Sequence, residues 1–236
     1  MVEKNTFGSV SFRMVNTLLL ILLTLVFLYP MWYVLVGSFS EPYQAFVNTD
    51  LMTLPKGFSL IGYQQVFRNR NIAIGYGNTL AYLILGTVSN VLITSLGAYV
   101  LSRPKLALKR LFSLMVVFTM YFSGGLIPSF LVVKNLGLYD SRLAIILPTL
   151  VGTYNMIVMR TAFKALPASI EESARIDGAN DFTVLFRIIL PCAKATVAVI
   201  ALFYAVSYWN SWFNAMVYLK SRTKYPLQLF LREILL

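Results

Sequence analysis

Four charged side chains that could form ion pairs lie close together in one polar stretch, residues 166–191: Glu171, Glu172, Arg175 and Asp177. The rest of the chain consists mainly of apolar runs, so this stretch is its one long polar interruption. The chemistry that these side chains support is charge pairing with a partner. The sequence contains no nucleophile–base pair and no phosphate-binding glycine loop, so we expect a protein that is not an enzyme.

Composition also excludes two kinds of site. The sequence has no histidine and one cysteine, Cys192. A Cys/His zinc site and an intrachain disulfide are therefore both ruled out. Cys192 follows Pro191 at the start of an apolar run, and we interpret it as a small packing residue. No metal site is expected.

The polar stretch has the local signals of two short helices joined by a tight turn. Ser169 and Glu172 have the spacing of a capping box, which predicts a helix from about Ile170 to Ile176. Gly178 lies just beyond it, where a helix end favours a left-handed residue. A second helix follows, limited by Pro191, and its candidate caps are Asn180 and Asp181.

The overall composition is that of a membrane protein. Hydrophobic residues make up 58% of the 236 residues and charged residues 12%, with a mean hydropathy of +0.72. A soluble domain carries about 25% charged residues. The net charge of +11 comes from Lys and Arg scattered between apolar runs, which favours membrane flanks over a nucleic-acid surface.

Five apolar runs, each close to the roughly 20 residues that a bilayer requires, predict a polytopic helix bundle in one transmembrane domain, residues 1–236. The first run is longer than the ~7–15-residue core of a signal peptide, so we favour an uncleaved span. Residues 40–75 form a predicted outer loop with one or two short helices, for example around Ile61 to Arg68. The predicted spans are residues 14–39, 76–101, 111–133, 142–163 and 188–213.

The best orientation signal is a short basic loop between the second and third runs. Arg103, Lys105, Lys109 and Arg110 lie there without an acidic residue, which marks the cytoplasmic side. Five spans then place the amino terminus and residues 166–191 on the same side as this loop. A polar loop that meets a cytoplasmic partner must lie there.

Polar residues inside the runs allow structural and transport interpretations. Asn78 and Asn90 in the second run favour interhelical hydrogen bonds over substrate contact. In the third run, two glycines and a proline predict an interrupted helix, which lies either at a permeation path or at the outer end. The candidates for the break and the pathway are Ser123, Gly124, Gly125, Pro128 and Asn155.

Aromatic and amide side chains are dense at the end of the fifth run. Aromatic rings with nearby amides suit sugars, because the C–H faces of a sugar are apolar and its hydroxyls need hydrogen-bond partners. The alternative, which we favour, is an interfacial aromatic belt that anchors the helix. The candidates for substrate contact are Tyr121, Tyr208, Trp209, Asn210 and Trp212.

Seven positions of the polar stretch carry a family resemblance. Glu172-Ser173-Ala174, Gly178, Ile188, Leu190 and Pro191 match the spacing E-A-A-x3-G-x9-I-x-L-P. This resembles the cytoplasmic coupling loop of bacterial ABC importer permeases, with Ser173 in place of the first alanine. The string EESARIDGAN is most similar to the sugar-importing branch. LPKGFSLIGY resembles the same family, and YFSGGLIPSFLVVKNLGLYDS resembles its oligosaccharide and polysaccharide permeases.

The resemblance implies a type I ABC importer permease in the bacterial inner membrane, with a sixth span that this chain lacks. It implies a second homologous permease subunit, most simply in a heterodimer, and an extracytoplasmic sugar-binding protein. Two ATPase subunits would bind ATP and Mg, so this chain needs no cofactor of its own. The residues implied in coupling to the ATPase are Ile170, Glu171, Glu172, Ser173, Ala174, Arg175, Asp177 and Gly178.

Two other classes of membrane protein remain as alternatives. An ion-coupled secondary transporter or channel usually needs ionisable residues within its spans, and the span centres here have almost none. The other class is a structural or assembly membrane protein, or a membrane-embedded enzyme. Such an enzyme would need a His, Cys or acidic cluster in the membrane, and the sequence shows none. Co-purification of an ATPase separates the two from an ABC permease.

Overall fold

The structure of the protein is a computed structural model, and it confirms the predicted all-α fold class. It describes residues 7–43, 52–104 and 107–235. Lys105 and residues 44–51 of the predicted outer loop lie outside the described residues. Within the described part of the chain, the β interaction is one isolated bridge between Ser40 and Phe58.

The first of two compact units, Met1–Arg70, is built on one long apolar helix. This helix, α1, spans Phe7–Ser38, so it begins before the predicted run and continues through Pro30. By length and composition it could cross a membrane. A short helix, α2, spans Ile61–Arg68 and confirms the helix predicted in the outer loop.

The second unit, Asn71–Leu236, contains the remaining helices. It opens with the long α3, which is also able to cross a membrane by length and composition. The helices are α3 (Arg70–Ser102), α4 (Lys109–Tyr121), α5 (Leu126–Asn135), α6 (Leu143–Thr149, with a 3₁₀ last turn), α7 (Thr153–Ala165), α8 (Ala168–Ile176), α9 (Asp181–Cys192), α10 (Lys194–Trp209), α11 (Trp212–Tyr218) and α12 (Leu227–Leu235), with a 3₁₀ turn at Arg222–Lys224.

Each of the last three runs is a bent helix pair, and the sequence had predicted an interruption in the first of the three. The bends are 112° between α4 and α5, 52° between α6 and α7, and 89° between α9 and α10. Together with α1 and α3, the described residues provide up to five spans if each bent pair crosses as one. The first bend confirms the predicted interruption, since α4 ends at Tyr121 and Gly125 has a left-handed φ of +86°.

The predicted boundaries of the fifth span are wrong. Residues 188–192 belong to α9, and α10 begins only at Lys194, after the 89° bend. The backbone is already irregular before this point, because Val184–Ile189 form a π-helix. Pro191 then removes one N–H donor from the helical ladder. Trp212, predicted to lie in this span, instead begins α11.

Polar side chains of α3 join it to distant segments, as the favoured interpretation predicted. The Asn90 amide donates to the carbonyl oxygen of Thr149 at 2.8 Å and accepts from the Tyr208 hydroxyl at 3.0 Å. The Asn78 amide donates to the carbonyl oxygen of Thr223 at 2.8 Å. Both asparagines are buried, so these bonds satisfy groups that would otherwise destabilise the unit.

The same interface requires a glycine in α3. A Cβ at Gly86 would lie 2.3 Å from Cζ of Tyr208, whereas one at Gly77 in the same helix would meet nothing within 4 Å. We expect Gly86→Ala to lower the free energy of unfolding by about 1–3 kcal/mol, because the ring must shift and strain its hydrogen bonds. Gly77→Ala should be neutral or stabilising. Thermal unfolding of the purified protein in detergent would measure both; equal midpoints would contradict the close packing.

Candidate coupling site

The central helix of the polar stretch, α8, begins two residues before its predicted start. Its N-cap is Pro167, with φ −57° and ψ 132°, and no side chain caps this end. Ser169 therefore lies within the first turn, and the predicted capping box with Glu172 is wrong. Proline suits this end because its φ is already close to the helical value and no N–H is needed there.

The predicted end of α8 is confirmed in detail. Gly178 has a φ of +81°, the left-handed conformation expected just after a helix. Its N–H donates to the carbonyl oxygen of Arg175 at 3.1 Å, and the N–H of Ala179 donates to that of Ala174 at 3.0 Å. These two bonds form a Schellman motif, which turns the chain sharply towards α9.

Of the two predicted caps for the second helix, the structure selects one. Oδ1 of Asn180 accepts a hydrogen bond from the N–H of Thr183 at 2.8 Å, so Asn180 caps α9. The carboxylate of Asp181 instead forms an ion pair with Arg175. Asp177 occupies the C-cap of α8 and does not cap α9.

An ionic cluster fixes α8 to the end of α3; we use this name for Tyr99, Arg103, Glu171, Arg175 and Asp181. Glu171, whose side chain is 14% exposed, forms ion pairs with Arg103 and, at 2.9 Å, with Arg175. Arg175 also contacts Asp181 at 2.5 Å, and the Tyr99 hydroxyl donates to both carboxylates at 3.4 Å. The Arg103 guanidinium lies over the Tyr99 ring, 4.4 Å from its centre.

Burial lowers the pKa of the Arg103 guanidinium below its ordinary value. The hydrogen bond to Asp181 raises the pKa of the Arg175 guanidinium above its already high ordinary value. An ionised network shared by several groups costs less side-chain entropy for each contact than isolated surface pairs do. The cluster therefore joins the basic loop after α3 to the polar stretch, on one side of the unit.

The inner face of α8 contradicts one sequence prediction. Ile170 and Ala174 were expected to face a partner, but Ala174 is 7% exposed and belongs to a core cluster with Val184 and Leu185 of α9. Ile170 is half-buried. The small side chain of Ala174 lets α8 lie close against α9, so this apolar face stabilises the chain's own fold.

The outward side of the polar stretch carries residues that sequence reasoning missed. Ile176 is 86% exposed and Phe182 is 66% exposed, while Glu172 and Ser173 lie in the exposed part of α8. Large apolar side chains exposed within a charged loop are typical of a contact surface. The sequence feature that could have identified Ile176 and Phe182 is their position on either side of the Gly178 turn.

The residues predicted at the break and the pathway lie in two parts of the fold. Ser123, Gly124 and Gly125 lie between α4 and α5, and Pro128 lies within the first turns of α5. Asn155 lies in α7 and is half-buried.

Of the five aromatic and amide candidates, Tyr208 and Asn210 line the same cavity. Tyr208 is 4% exposed and bonded to Asn90 and Thr149, so its role is structural, contrary to the substrate prediction. Tyr121 is 74% exposed. Trp209 packs edge-on against Tyr76, and Trp212 lies under the Arg232 guanidinium at 4.4 Å. Asn210 lines a cavity of about 180 Å³ together with Ile145, Thr149, Ser207, Tyr208, Ser211, Phe213 and Asn214.

Among the described residues no group of three or more His, Cys, Asp or Glu side chains could hold a metal ion. The site therefore offers ion pairs and an exposed apolar surface, which suit recognition of a protein partner.

Comparison with known proteins identifies the family to which the chain is similar. The family described as "Binding-protein-dependent transport system inner membrane component" matches residues 93–217. The chain is 40% identical to the polygalacturonan/rhamnogalacturonan transport system permease protein YtcP of Bacillus subtilis (strain 168), covering 92% of this chain and 76% of that protein. It is 38% identical to the protein LplC of the same strain, covering 87% of this chain and 69% of LplC.

A solved structure is similar over nearly the whole chain. It is a crystal structure of a bacterial ABC transporter involved in the import of the acidic polysaccharide alginate, with a TM-score of 0.93 and 35% identity. The match covers 98% of this chain and 82% of that chain. The fold is therefore that of a type I ABC importer permease, and the chain belongs to the family of binding-protein-dependent transport system inner membrane components.

Proposed function

We propose that this permease subunit works in an ATP-driven importer of oligosaccharides or polysaccharide fragments, and that α8 receives the movement of an ATPase. The observation that carries the proposal is the two-sided character of α8. Its outward side exposes Glu172 and Ile176, while Glu171 and Ala174 fix its inward side to the rest of the unit. Such a helix can be pushed from outside without separating from its support.

The contacts of α8 suggest two routes for the movement. Glu171 joins α8 to Arg103, immediately after α3, and Ala174 joins it to α9, which leads into α10. The ion pair between Arg103 and Glu171 makes α3 one of the moving parts. In this mechanism ATP binding closes two ATPase subunits, α8 follows them, and the pathway opens alternately to each side.

The proposed assembly contains two ATPase subunits, which bind ATP and Mg, a second homologous permease subunit in a heterodimer, and a binding protein outside the cell. The basic loop at Arg103 and Lys109 lies on the side of α8, which supports a cytoplasmic position for both. The amino terminus is then cytoplasmic, and the five candidate spans form one transmembrane permease domain with its outer loop at residues 40–75.

The proposed substrate class is an acidic oligosaccharide derived from a polysaccharide. YtcP is described as a permease for polygalacturonan and rhamnogalacturonan, and the similar solved transporter imports acidic alginate. The exposed Tyr121 and Asn210 remain candidates for sugar contact within this subunit.

Reconstitution with a panel of sugars tests this function. The chain should be co-expressed with its ATPase, second permease and binding-protein partners, purified, and placed in liposomes. We expect ATP hydrolysis to rise with uronate-containing oligosaccharides more than with neutral oligosaccharides or monosaccharides. Failure to co-purify an ATPase, or hydrolysis unchanged by every sugar, would contradict the proposal. Ion-gradient-driven uptake without ATP would favour a secondary transporter instead.

A further inference from the structure

A large cleft lies beside the ionic cluster, between the ends of α3, α4 and α7 and the start of α8. Its volume is about 640 Å³. It combines a charged rim with an apolar lining. The rim and lining consist of Ser102, Arg103, Pro104, Lys109, Phe163, Lys164, Leu166, Pro167, Ala168, Glu171, Glu172, Arg175 and Ile189.

The rim has more positive charge than the described residues neutralise. Glu171 is already shared by Arg103 and Arg175. Lys109 donates to the carbonyl oxygens of Ser102 and Arg103, at 3.3 and 2.6 Å, which satisfies its hydrogen bonds but supplies no counter-charge. Within the described ranges, neither Lys109 nor Lys164 forms an ion pair.

The position of Lys109 and Lys164 indicates which kind of ligand supplies the negative charge that would balance them. Lys109 is the first residue of α4, Lys164 lies in the last turn of α7, and Ser102 ends α3. Three helix termini thus meet at the rim of one cleft, and lysines at the ends of membrane-spanning helices lie at the level of lipid headgroups. Behind the rim, Leu166, Pro167 and Ala168 offer an apolar surface suited to the upper part of an acyl chain. The buried Phe163 and Ile189 lie beneath it.

We propose that this cleft binds an anionic phospholipid. The phosphate and headgroup would lie between Lys109 and Lys164, and the glycerol and first methylenes would contact the apolar lining. Basic pockets between membrane helices on the cytoplasmic side recognise such headgroups in this way. Because the cleft shares Arg103 and Glu171 with the ionic cluster, bound lipid would also support the ends of the helices that carry α8.

The probe is dioleoylphosphatidylglycerol titrated onto the purified transporter complex, with binding measured by native mass spectrometry. The test variant is Lys109→Gln/Lys164→Gln, in which glutamine retains N–H donors but removes both charges. The matched control is Lys134→Gln/Lys220→Gln, which removes two charges from residues that do not line the cleft. Phosphatidylcholine and inorganic phosphate are titrated in parallel.

We expect the test variant to bind phosphatidylglycerol about 25-fold more weakly, since each of the two lysines contributes about a factor of five near a membrane surface. The control variant should bind as the unaltered complex does, and phosphatidylcholine should not distinguish them. Unchanged phosphatidylglycerol binding by the test variant would overturn the proposal. Displacement of the lipid by inorganic phosphate to the same extent in both variants would also overturn the proposal. If the test variant instead loses its ATPase subunits and keeps its lipid binding, the proposal is overturned and the cleft is assigned to a protein partner.

Discussion

Replacing Ile176 by aspartate should abolish import while leaving the permease folded in the membrane. Ile176 is 86% exposed, so the change removes almost no contact within the chain. If this side chain docks into an ATPase groove, the substitution places an unpaired charge in a desolvated contact. We expect the ATPase to bind about 30- to 1,000-fold more weakly, the effect of losing about 2–4 kcal/mol at an interface centre. Co-purification of the ATPase measures this directly.

The matched control for Ile176→Asp is a second substitution in α8. Ser169→Asp adds the same charge at an exposed position in the first turn of α8, where a carboxylate is favourable to the helix. It should retain the ATPase and support import. Normal ATPase recovery and import with Ile176→Asp would show that the exposed tip of the loop is not the contact.

Reversing the charge of Arg103 should uncouple ATP hydrolysis from import. Arg103→Glu would place a second carboxylate beside Glu171, which is largely buried, and break the pair that joins α8 to α3. Breaking a pair of this kind typically costs about 3–5 kcal/mol when it is fully buried, and less here because both groups retain some exposure. The ATPase should still bind through the outward side of α8. The measurement is sugar imported for each ATP hydrolysed in proteoliposomes, which should fall.

Two further variants make the uncoupling result specific. Arg103→Glu combined with Glu171→Arg restores opposite charges, and we expect it to recover coupling, with an interaction energy of about 1–3 kcal/mol between the two sites. Arg110→Glu makes the same charge change at an exposed position in the same basic loop and should couple normally. If Arg110→Glu uncouples as strongly as Arg103→Glu, loop charge alone is responsible and the ion pair is not.

The helix–turn–helix at the site was predictable because its signals are local. The positive φ at position 178 favours glycine, and Asn180 caps α9 by accepting a hydrogen bond from the N–H of Thr183, three residues further on. Such signals depend on neighbours in sequence. The start of α8 was misplaced because Ser169 and Pro167 both suit a helix start, and the sequence could not rank them.

The direction that α8 faces could not be predicted in the same way. Tyr99 and Arg103, which hold Glu171, come from a helix far away in sequence; Tyr99 and Glu171 are 72 residues apart. The nine residues of α8 have a charged side and an apolar side, and the sequence does not say which side meets the rest of the chain. Only the tertiary contacts turn Ala174 inwards and leave Ile176 outwards.

In the spans too, features that depend on neighbouring residues were predictable, and features that depend on distant contacts were not. The break at Gly124–Gly125 was predictable because glycine and proline weaken a helix wherever they occur. The bend after α9 was missed because the π-helix at Val184–Ile189 has no simple sequence signature. The structural role of Tyr208 depends on Gly86, a residue of another helix, so a list of aromatic residues could not reveal it.

The pairing of Arg103 with Glu171 also has an evolutionary consequence. Loss of Glu171 leaves Arg103 without its carboxylate partner, and loss of Arg103 leaves Glu171 paired with Arg175 alone. Lineages that change one should retain it only where the other has changed in compensation. Across descendants of a common ancestor, these two positions should therefore covary, whereas Arg110 in the same loop drifts freely.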